Sequence, residues 1–269
     1  MIDAYLDESG IHDGAAVCVI AGYFGGRGQW GKFEKRWKQT FVHSGMPMEE
    51  FHAKTLLKKE DPKFKRIARS LVTVIAEFAP KIHPVSAAII VEDFYSFSLH
   101  DRKFMTGATW KNNELLGTGS PDKAYYIPFQ HCLKRIAGRA PVGGKTHFFF
   151  GLDRTFSGYA EALYKQAKAD PFAPFREELG EIAFPQAKAT APLQAADLLV
   201  HLSYQYALEM MQNNSWGRVQ PEGLLLGALA GTVDQGDHTF QDRRCLETTL
   251  TKGIPDFYKR IQGQFAPAR

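Results

Sequence analysis

The chain has 269 residues, 44% of them apolar and 23% charged, and a formal net charge of +4. This composition is ordinary for a soluble globular protein, and no apolar run approaches the roughly 20 residues that cross a bilayer. The first residues lack the basic and apolar segments of a signal peptide, and the three cysteines are too scattered for a disulfide framework or a zinc site. We therefore expect a cytoplasmic protein.

Two strands and a helix are predicted at the start of the chain. IDAYLDES reads as a strand, and the apolar run AAVCVIAGYFG as a buried second strand, paired with the first in a hairpin across GIHDG. QWGKFEKRWKQTFVHSG then has apolar residues at helical spacing. The preceding glycines resemble a phosphate-binding loop, but Phe33 follows Lys32 where that motif needs Ser or Thr, so we interpret them as the passage from strand to helix.

Strands and helices are predicted to alternate along the next part of the chain. After a short connector, DPKFKRIARSLVTVIAEFAP predicts a helix with Asp61 as its cap and Pro62 in its first turn. KIHPVSAAIIVE predicts a third strand. Residues 100–122 predict a long loop or mobile insertion. DKAYYIPFQHCLKRIAGR predicts a helix that Pro128 could kink.

The remaining segments complete an α/β pattern. KTHFFFGLD predicts a buried strand that ends in Asp153, YAEALYKQAKAD a helix, EIAFPQA a last short strand and APLQAADLLVHLSYQYALEMMQ a long helix. Loops and two or three short helices are expected from Asn213 onward. The sequence thus predicts a single domain, 1–269, with a central mixed sheet flanked by helices in about 1–212 and a mostly helical extension in about 213–269.

Four carboxylates on or beside apolar elements are candidates for chemistry. Asp7 and Glu8 end the first strand, Asp153 ends a later strand, and Asp197 lies in the long helix. Clustering buried carboxylates is costly unless a cation relieves their repulsion, and Mg²⁺ prefers such oxygen ligands. Each acid also has a plain structural explanation: a turn at DESG, a helix cap at Asp153, and a favourable charge near the start of the helix at Asp197.

Strand alternation restricts which of the opening acids can act together. It places Asp3 and Asp7 on one face of the strand and Glu8 on the other. Asp7 and Glu8 can therefore bind one ion only if the strand ends or bulges between them. Asp3 lies at the far end of the strand and is the weakest candidate. Gln194 precedes Asp197 by three residues and can share its surroundings.

Two further features leave alternatives open. His52, in EEFHAKTL, is either an ordinary surface or core histidine or a metal ligand, proton shuttle or phosphate contact. The segments KFEKRWKQ, KKEDPKFKRIAR and HCLKRIAGR are locally basic. They form either solvated helix faces or a surface that contacts phosphates.

Five short motifs occur in a characteristic order: YLDESG, AGYF, FHA, GLD and PLQAADLL. Together they resemble the prokaryotic domain-of-unknown-function family 3800, whose hallmarks are an Asp-Glu pair and a Gln-x-x-Asp motif, here Asp7-Glu8 and Gln194-x-x-Asp197. The resemblance covers about the first 210 residues. It implies a ribonuclease H-like fold with acids on the first strand, a later strand and a late helix. Asp7, Asp153 and Asp197 match these places, and Glu8 is an additional candidate.

The resemblance implies a metal-dependent nuclease that uses Mg²⁺ or Mn²⁺ and has DNA or RNA as its partner. In this hypothesis Gln194 binds a carboxylate or a substrate phosphate, and His52 shuttles protons. The metal ligands are the four acids Asp7, Glu8, Asp153 and Asp197. The alternatives are a non-catalytic nucleic-acid-binding or regulatory protein that keeps the fold, and an enzyme with a closed pocket for a small phosphorylated ligand.

Overall fold

The computed structural model describes residues 1–58, 61–111, 114–119, 123–170, 173, 175–186, 190–213 and 238–256. Its strands are β1 (Ile2–Ser9), β2 (Val17–Gly26), β3 (Ile82–Ile90), β4 (Ala108–Lys111), β5 (Glu114–Gly117), β6 (Thr146–Phe150), β7 (Leu179–Ala183) and β8 (His238–Gln241). Its α-helices are α1 (Arg27–Ser44), α2 (Ala53–Lys58), α3 (Pro62–Phe78), α4 (Val91–Tyr95), α5 (Leu99–Thr106), α6 (Tyr126–Ala137), α7 (Ser157–Ala169), α8 (Ala191–Asn213) and α9 (Arg243–Thr248). Short 3₁₀ turns cover Met48–Glu50 and Arg176–Glu178, and a π-helical turn covers Thr249–Gly253.

The central sheet has six strands in the order β7-β6-β1-β2-β3-β8. Strand β2 is antiparallel to both of its neighbours, whereas β6 pairs parallel with β1 and β7, and β8 pairs parallel with β3. The sheet is therefore mainly parallel, with β2 as its one antiparallel strand among the described residues. The predicted mixed sheet flanked by helices is confirmed, as is the hairpin between the first two strands.

Helices cover both faces of the sheet, and each face has its own hydrophobic cluster. One cluster joins β2 to α1, α3 and α8, and includes Trp30, Trp37 and Leu198. The other joins β1, β2, β3 and β6 to α6 and α7, and includes Leu6 and Phe129. Because both faces of β2 are buried, its sequence is an unbroken apolar run rather than an alternating one.

Local signals account for the ends of several helices. Asp61 accepts a hydrogen bond from the Lys63 backbone N–H at the start of α3, as its predicted capping role requires. Pro128 lies in the first turn of α6, where a backbone N–H has no intrahelical acceptor, so it begins the helix rather than kinking it. No helix in the described ranges is long and apolar enough to cross a membrane.

Two predictions about irregular segments are wrong. The segment expected to be a long loop forms α5, capped by the Ser98 side chain, followed by the β4–β5 hairpin. Strand β7 is not the last one, because β8 joins the sheet edge beside β3 where only loops and short helices were expected. The remainder of the predicted extension, 214–237 and 257–269, lies outside the described residues.

Candidate active site

The end of β1 carries the first two candidate acids on opposite faces of the sheet. Pairing with β2 is regular through this end, with Asp7 opposite Ala21 and Glu8 opposite Ile20. The strand therefore neither ends nor bulges between the two acids, and the chain turns only at Gly10, which has a φ of +74°. Asp7 faces the α8 side, and Glu8 faces the α6 side.

Asp7 and Asp197 form a pair of carboxylates between β1 and α8. Burial, and secondarily the charge of Asp197, raise the pKa of Asp7 to about 8, although the backbone N–H of Glu8 acts in the opposite direction. Burial also raises the pKa of Asp197. Two acids on elements far apart in the sequence thus share one poorly hydrated place, and each would be stabilised by a cation.

The start of α2 completes the surroundings of Asp197. The Ala53 backbone N–H donates to Asp197 Oδ2 over 2.9 Å, and His52 Nδ1 lies 3.9 Å from the same oxygen. The His52 side chain is 52% exposed, whereas that of Asp197 is only 21% exposed. His52 therefore lies where the buried acid pair meets solvent, which suits the predicted proton shuttle.

Glu8 and Asp153 form a second pair on the other face of β1. Burial, followed by the charges of Asp7 and Asp153, raises the pKa of Glu8 well above its ordinary value. Glu8 Oε2 is buried, and the described residues give it no hydrogen-bond partner. A buried acceptor in this state is unfavourable unless it is protonated or meets a cation. The Tyr125 hydroxyl shares these surroundings, because Glu8 contributes to the raised pKa of Tyr125.

Asp153 also has a structural role, which is in the turn before α7 and not at the N-cap of that helix as expected. Its Oδ1 accepts from the Thr155 N–H at 2.7 Å and from the Phe156 N–H at 3.3 Å, in the turn that leads into α7. One carboxylate oxygen thus orders the turn. This role in the turn is compatible with a role in the acid cluster.

Gln194 lies inside the core rather than at the surface. Its side chain is 1% exposed, Oε1 accepts from Trp37 Nε1, and Nε2 donates to the Met48 carbonyl, both at 2.9 Å. The amide therefore ties α8 to α1 and to the 3₁₀ turn that precedes His52. The predicted contact with a substrate phosphate would compete with these two hydrogen bonds.

His201 belongs to the same neighbourhood although the sequence analysis did not identify it. It follows Asp197 by one helical turn, and its pKa is lowered mainly by burial, while the Asp197 charge acts in the opposite direction. Lys54 and Lys58 of α2 are among the charges that lower it further. The signal available in the sequence was the four-residue spacing from Asp197, which places both side chains on one helix face.

The four predicted acids are thus neighbours, arranged as two pairs on the two sides of β1. In the part of the chain that the structure describes, no group of three or more His, Cys, Asp or Glu side chains is placed to hold one ion. Mg²⁺ is commonly held by only one or two carboxylates, with water and substrate phosphate supplying the other oxygens. The pair Asp7 and Asp197 is a donor set of that size.

Comparisons with known proteins give distant structural likeness alone. No family model matches the chain, and no curated protein matches it. A chain in the structure of the PCNA–RNase HII complex from Archaeoglobus fulgidus is similar with a TM-score of 0.39 and 11% sequence identity, covering 86% of this chain and 87% of that one.

Proposed function

We propose that the protein is a metal-dependent nuclease, in which Asp7 and Asp197 hold Mg²⁺ or Mn²⁺ and phosphodiester bonds of nucleic acid are hydrolysed beside them. The observation that carries the proposal is the pair of poorly hydrated carboxylates between β1 and α8, with the pKa of Asp7 raised to about 8. A fold of this kind can form without two carboxylates side by side in a poorly hydrated place, where their charges repel each other. A bound divalent cation would offset that repulsion.

The wider arrangement supports a ribonuclease H-like form of this enzyme. The resemblance of the sequence motifs to family 3800 implies a mixed sheet flanked by helices. It places acids on the first strand, on a later strand and on a late helix. Asp7 is on β1, Asp153 lies three residues beyond the end of β6, and Asp197 is on α8. Strands β1 and β6 are neighbours, and α8 packs on β1, so the three places are adjacent in space.

Asp7, Asp197 and His52 have defined chemical tasks in this proposal. A divalent cation would neutralise phosphate charge and lower the pKa of a coordinated water. Asp7 and Asp197 hold the cation. Glu8 and Asp153 form the second carboxylate pair, on the opposite face of β1. His52 exchanges a proton with the attacking water or the leaving oxygen, because it is exposed and adjacent to Asp197.

Metal binding and cleavage test the proposal together. Mn²⁺ at about 100 times its dissociation constant should raise the free energy of unfolding by about 2.7 kcal/mol in the wild type. Asp7→Asn and Asp197→Asn should abolish this gain. Both should also slow metal-dependent cleavage of DNA or RNA by at least about 100-fold, the loss typical when a preorganised charge is removed from an active site.

Asp3→Asn is the matched control, because Asp3 is on the same face of β1 but at its opposite end, paired with Arg27 at 2.9 Å. It should retain the Mn²⁺ effect. A wild-type protein that is folded and gains no stability from Mn²⁺ or Mg²⁺ would exclude this function. That result would favour a non-catalytic nucleic-acid-binding role.

A further inference from the structure

A polar groove of about 730 Å³ runs between α1 and α3, outside the candidate active site. Nine residues line it, and none of them is acidic. They are Arg36, Thr40, His43, Ser44, Lys63, Arg66, Ile67, Ser70 and Thr73. The groove thus presents side chains of basic and hydroxyl-bearing residues with a single aliphatic one.

The charges of the groove are available to an anion. In the described ranges, Lys63 and Arg66 pair with no carboxylate, and both are exposed. Arg36 is partly compensated, because its guanidinium binds Glu77 through two hydrogen bonds of 3.0 and 3.1 Å. The cationic character of the groove therefore depends mainly on Lys63 and Arg66.

The hydroxyl groups make the walls polar without adding charge. Thr40 and Ser44 donate to carbonyls of α1, and Ser70 and Thr73 donate to carbonyls of α3. Their protons are donated within the helices, so these hydroxyl groups make the surface polar and leave Lys63 and Arg66 as the groups that attract an anion. Such a surface suits a chain of phosphates and sugars better than an apolar ligand.

One end of the groove lies next to the surroundings of His52, through the shared lining residue Lys63. Lys63 lines it and also lines an adjoining cavity of about 130 Å³, which His52 and Glu50 border. His52 is in turn 3.9 Å from Asp197. Along α3 the lining residues extend from Lys63 to Thr73, a distance of about 15 Å at the helical rise of 1.5 Å per residue.

We propose that this groove between α1 and α3 binds the sugar–phosphate backbone of a nucleic-acid strand and leads it past His52 to the Asp7–Asp197 pair. Lys63 and Arg66 bind its phosphates. The proposal rests on the proposed nuclease function for the destination of the strand, but the binding itself needs no metal. It explains why the basic segment of α3 lies beside an open groove whose Lys63 end adjoins the cavity bordered by His52.

Binding of fluorescein-labelled DNA, followed by fluorescence anisotropy in buffer without divalent cations, tests the proposal. Single-stranded and duplex oligonucleotides of one sequence are titrated at several salt concentrations. The double variant Lys63→Gln/Arg66→Gln should reduce the slope of log affinity against log salt by about 1.4 for single strands or about 1.8 for duplex, because each phosphate contact contributes about 0.7 or 0.9.

The matched control is Lys65→Gln/Arg69→Gln, which removes one Lys and one Arg charge from the same helix at positions that do not line the groove. It should change the slope by less than half as much. Equal effects of the two double variants would show that only the net charge matters, and would overturn the proposal. A wild type that binds neither form of DNA would also overturn it.

The change in the free energy of unfolding caused by Mn²⁺ distinguishes a failure of the groove proposal from a failure of the nuclease proposal. Both double variants should keep the Mn²⁺ effect of the wild type, because Asp7 and Asp197 are unchanged. If the groove variant alone loses DNA binding and Mn²⁺ stabilises no variant, the groove is supported and the nuclease proposal fails. If Mn²⁺ stabilises all variants and the groove variant binds DNA normally, the groove fails and the nuclease proposal stands.

Discussion

Replacing Asp7 by Asn should stabilise the metal-free protein at neutral and alkaline pH, although it alters a partly buried residue. The reason is the pKa of Asp7, which rises from 3.8 to about 8 in the fold. Between these values the folded protein holds a proton that the unfolded chain releases. Stability attributable to Asp7 is therefore lost as the pH rises, by about 1.4 kcal/mol for each pH unit.

As the pH approaches 8, the folded protein also begins to release this proton, so stability falls less steeply with pH. Asp7 should therefore lower the free energy of unfolding by about 2 kcal/mol between about pH 6 and pH 8. Asn is nearly isosteric with the protonated acid and does not titrate. The free energy of unfolding of Asp7→Asn should therefore decrease less than that of the wild type over this pH range. Glu8 adds a dependence of the same sign, which the variant retains in part, because the pKa of Glu8 is raised mainly by burial.

Urea unfolding in chelator at several pH values, followed by fluorescence of the buried Trp30 and Trp37, measures this difference. Asp3→Asn provides a contrast, because it removes the carboxylate that pairs with the half-exposed Arg27 and should destabilise the protein only slightly. Equal pH dependence in the wild type and Asp7→Asn would refute the reasoning. It would mean that Asp7 is as well hydrated in the fold as in the unfolded chain.

Three other substitutions test separate parts of the structure. Gln194→Leu should lower the free energy of unfolding by about 1–3 kcal/mol, because the buried indole N–H of Trp37 loses its acceptor, and urea unfolding would measure it. Its Mn²⁺ affinity should stay near that of the wild type; a selective loss of metal binding would instead assign Gln194 to the site. Gly10→Ala should cost at least about 1–3 kcal/mol, since φ is +74° and the added methyl would lie 2.0 Å from a backbone oxygen. A normal melting temperature would show that this turn can rearrange. His52→Ala should reduce kcat about 100-fold with little change in stability, because the side chain is half exposed; an unchanged pH–rate profile would exclude proton transfer by His52.

Local patterns were sufficient to predict most regular elements of the sheet and its helices. The strand at β1, the apolar run at β2 and the capped helix α3 each carry their signal within a few neighbouring residues. The failures have a tertiary cause. Strand β8 has only four residues and is held by parallel pairing with β3, more than a hundred residues earlier, so no local pattern specifies it.

The candidate site was predictable as a set of residues but not as an arrangement. Carboxylates beside apolar runs pointed to Asp7, Glu8 and Asp197, and the structure brings them into one neighbourhood. Their division between the two faces of β1 depended on whether the strand continued past Glu8, which pairing with β2 decides. The burial of Gln194 against Trp37 likewise depends on how α8 packs on α1.

The position of the Asp7–Asp197 pair also determines when it can exist during synthesis. The hairpin of β1 and β2, extended by β3, needs only the first third of the chain, whereas α8 comes much later. At about 5–20 residues per second, a ribosome adds the roughly 190 residues between the two acids in about 10–40 s. Throughout that interval Asp7 is hydrated and ionised, and the apolar side of β2 that α8 covers is open. Docking of α8 both buries this surface and brings the second carboxylate to the first. The supply of protons or divalent cations should therefore govern the docking of α8 onto the nascent sheet.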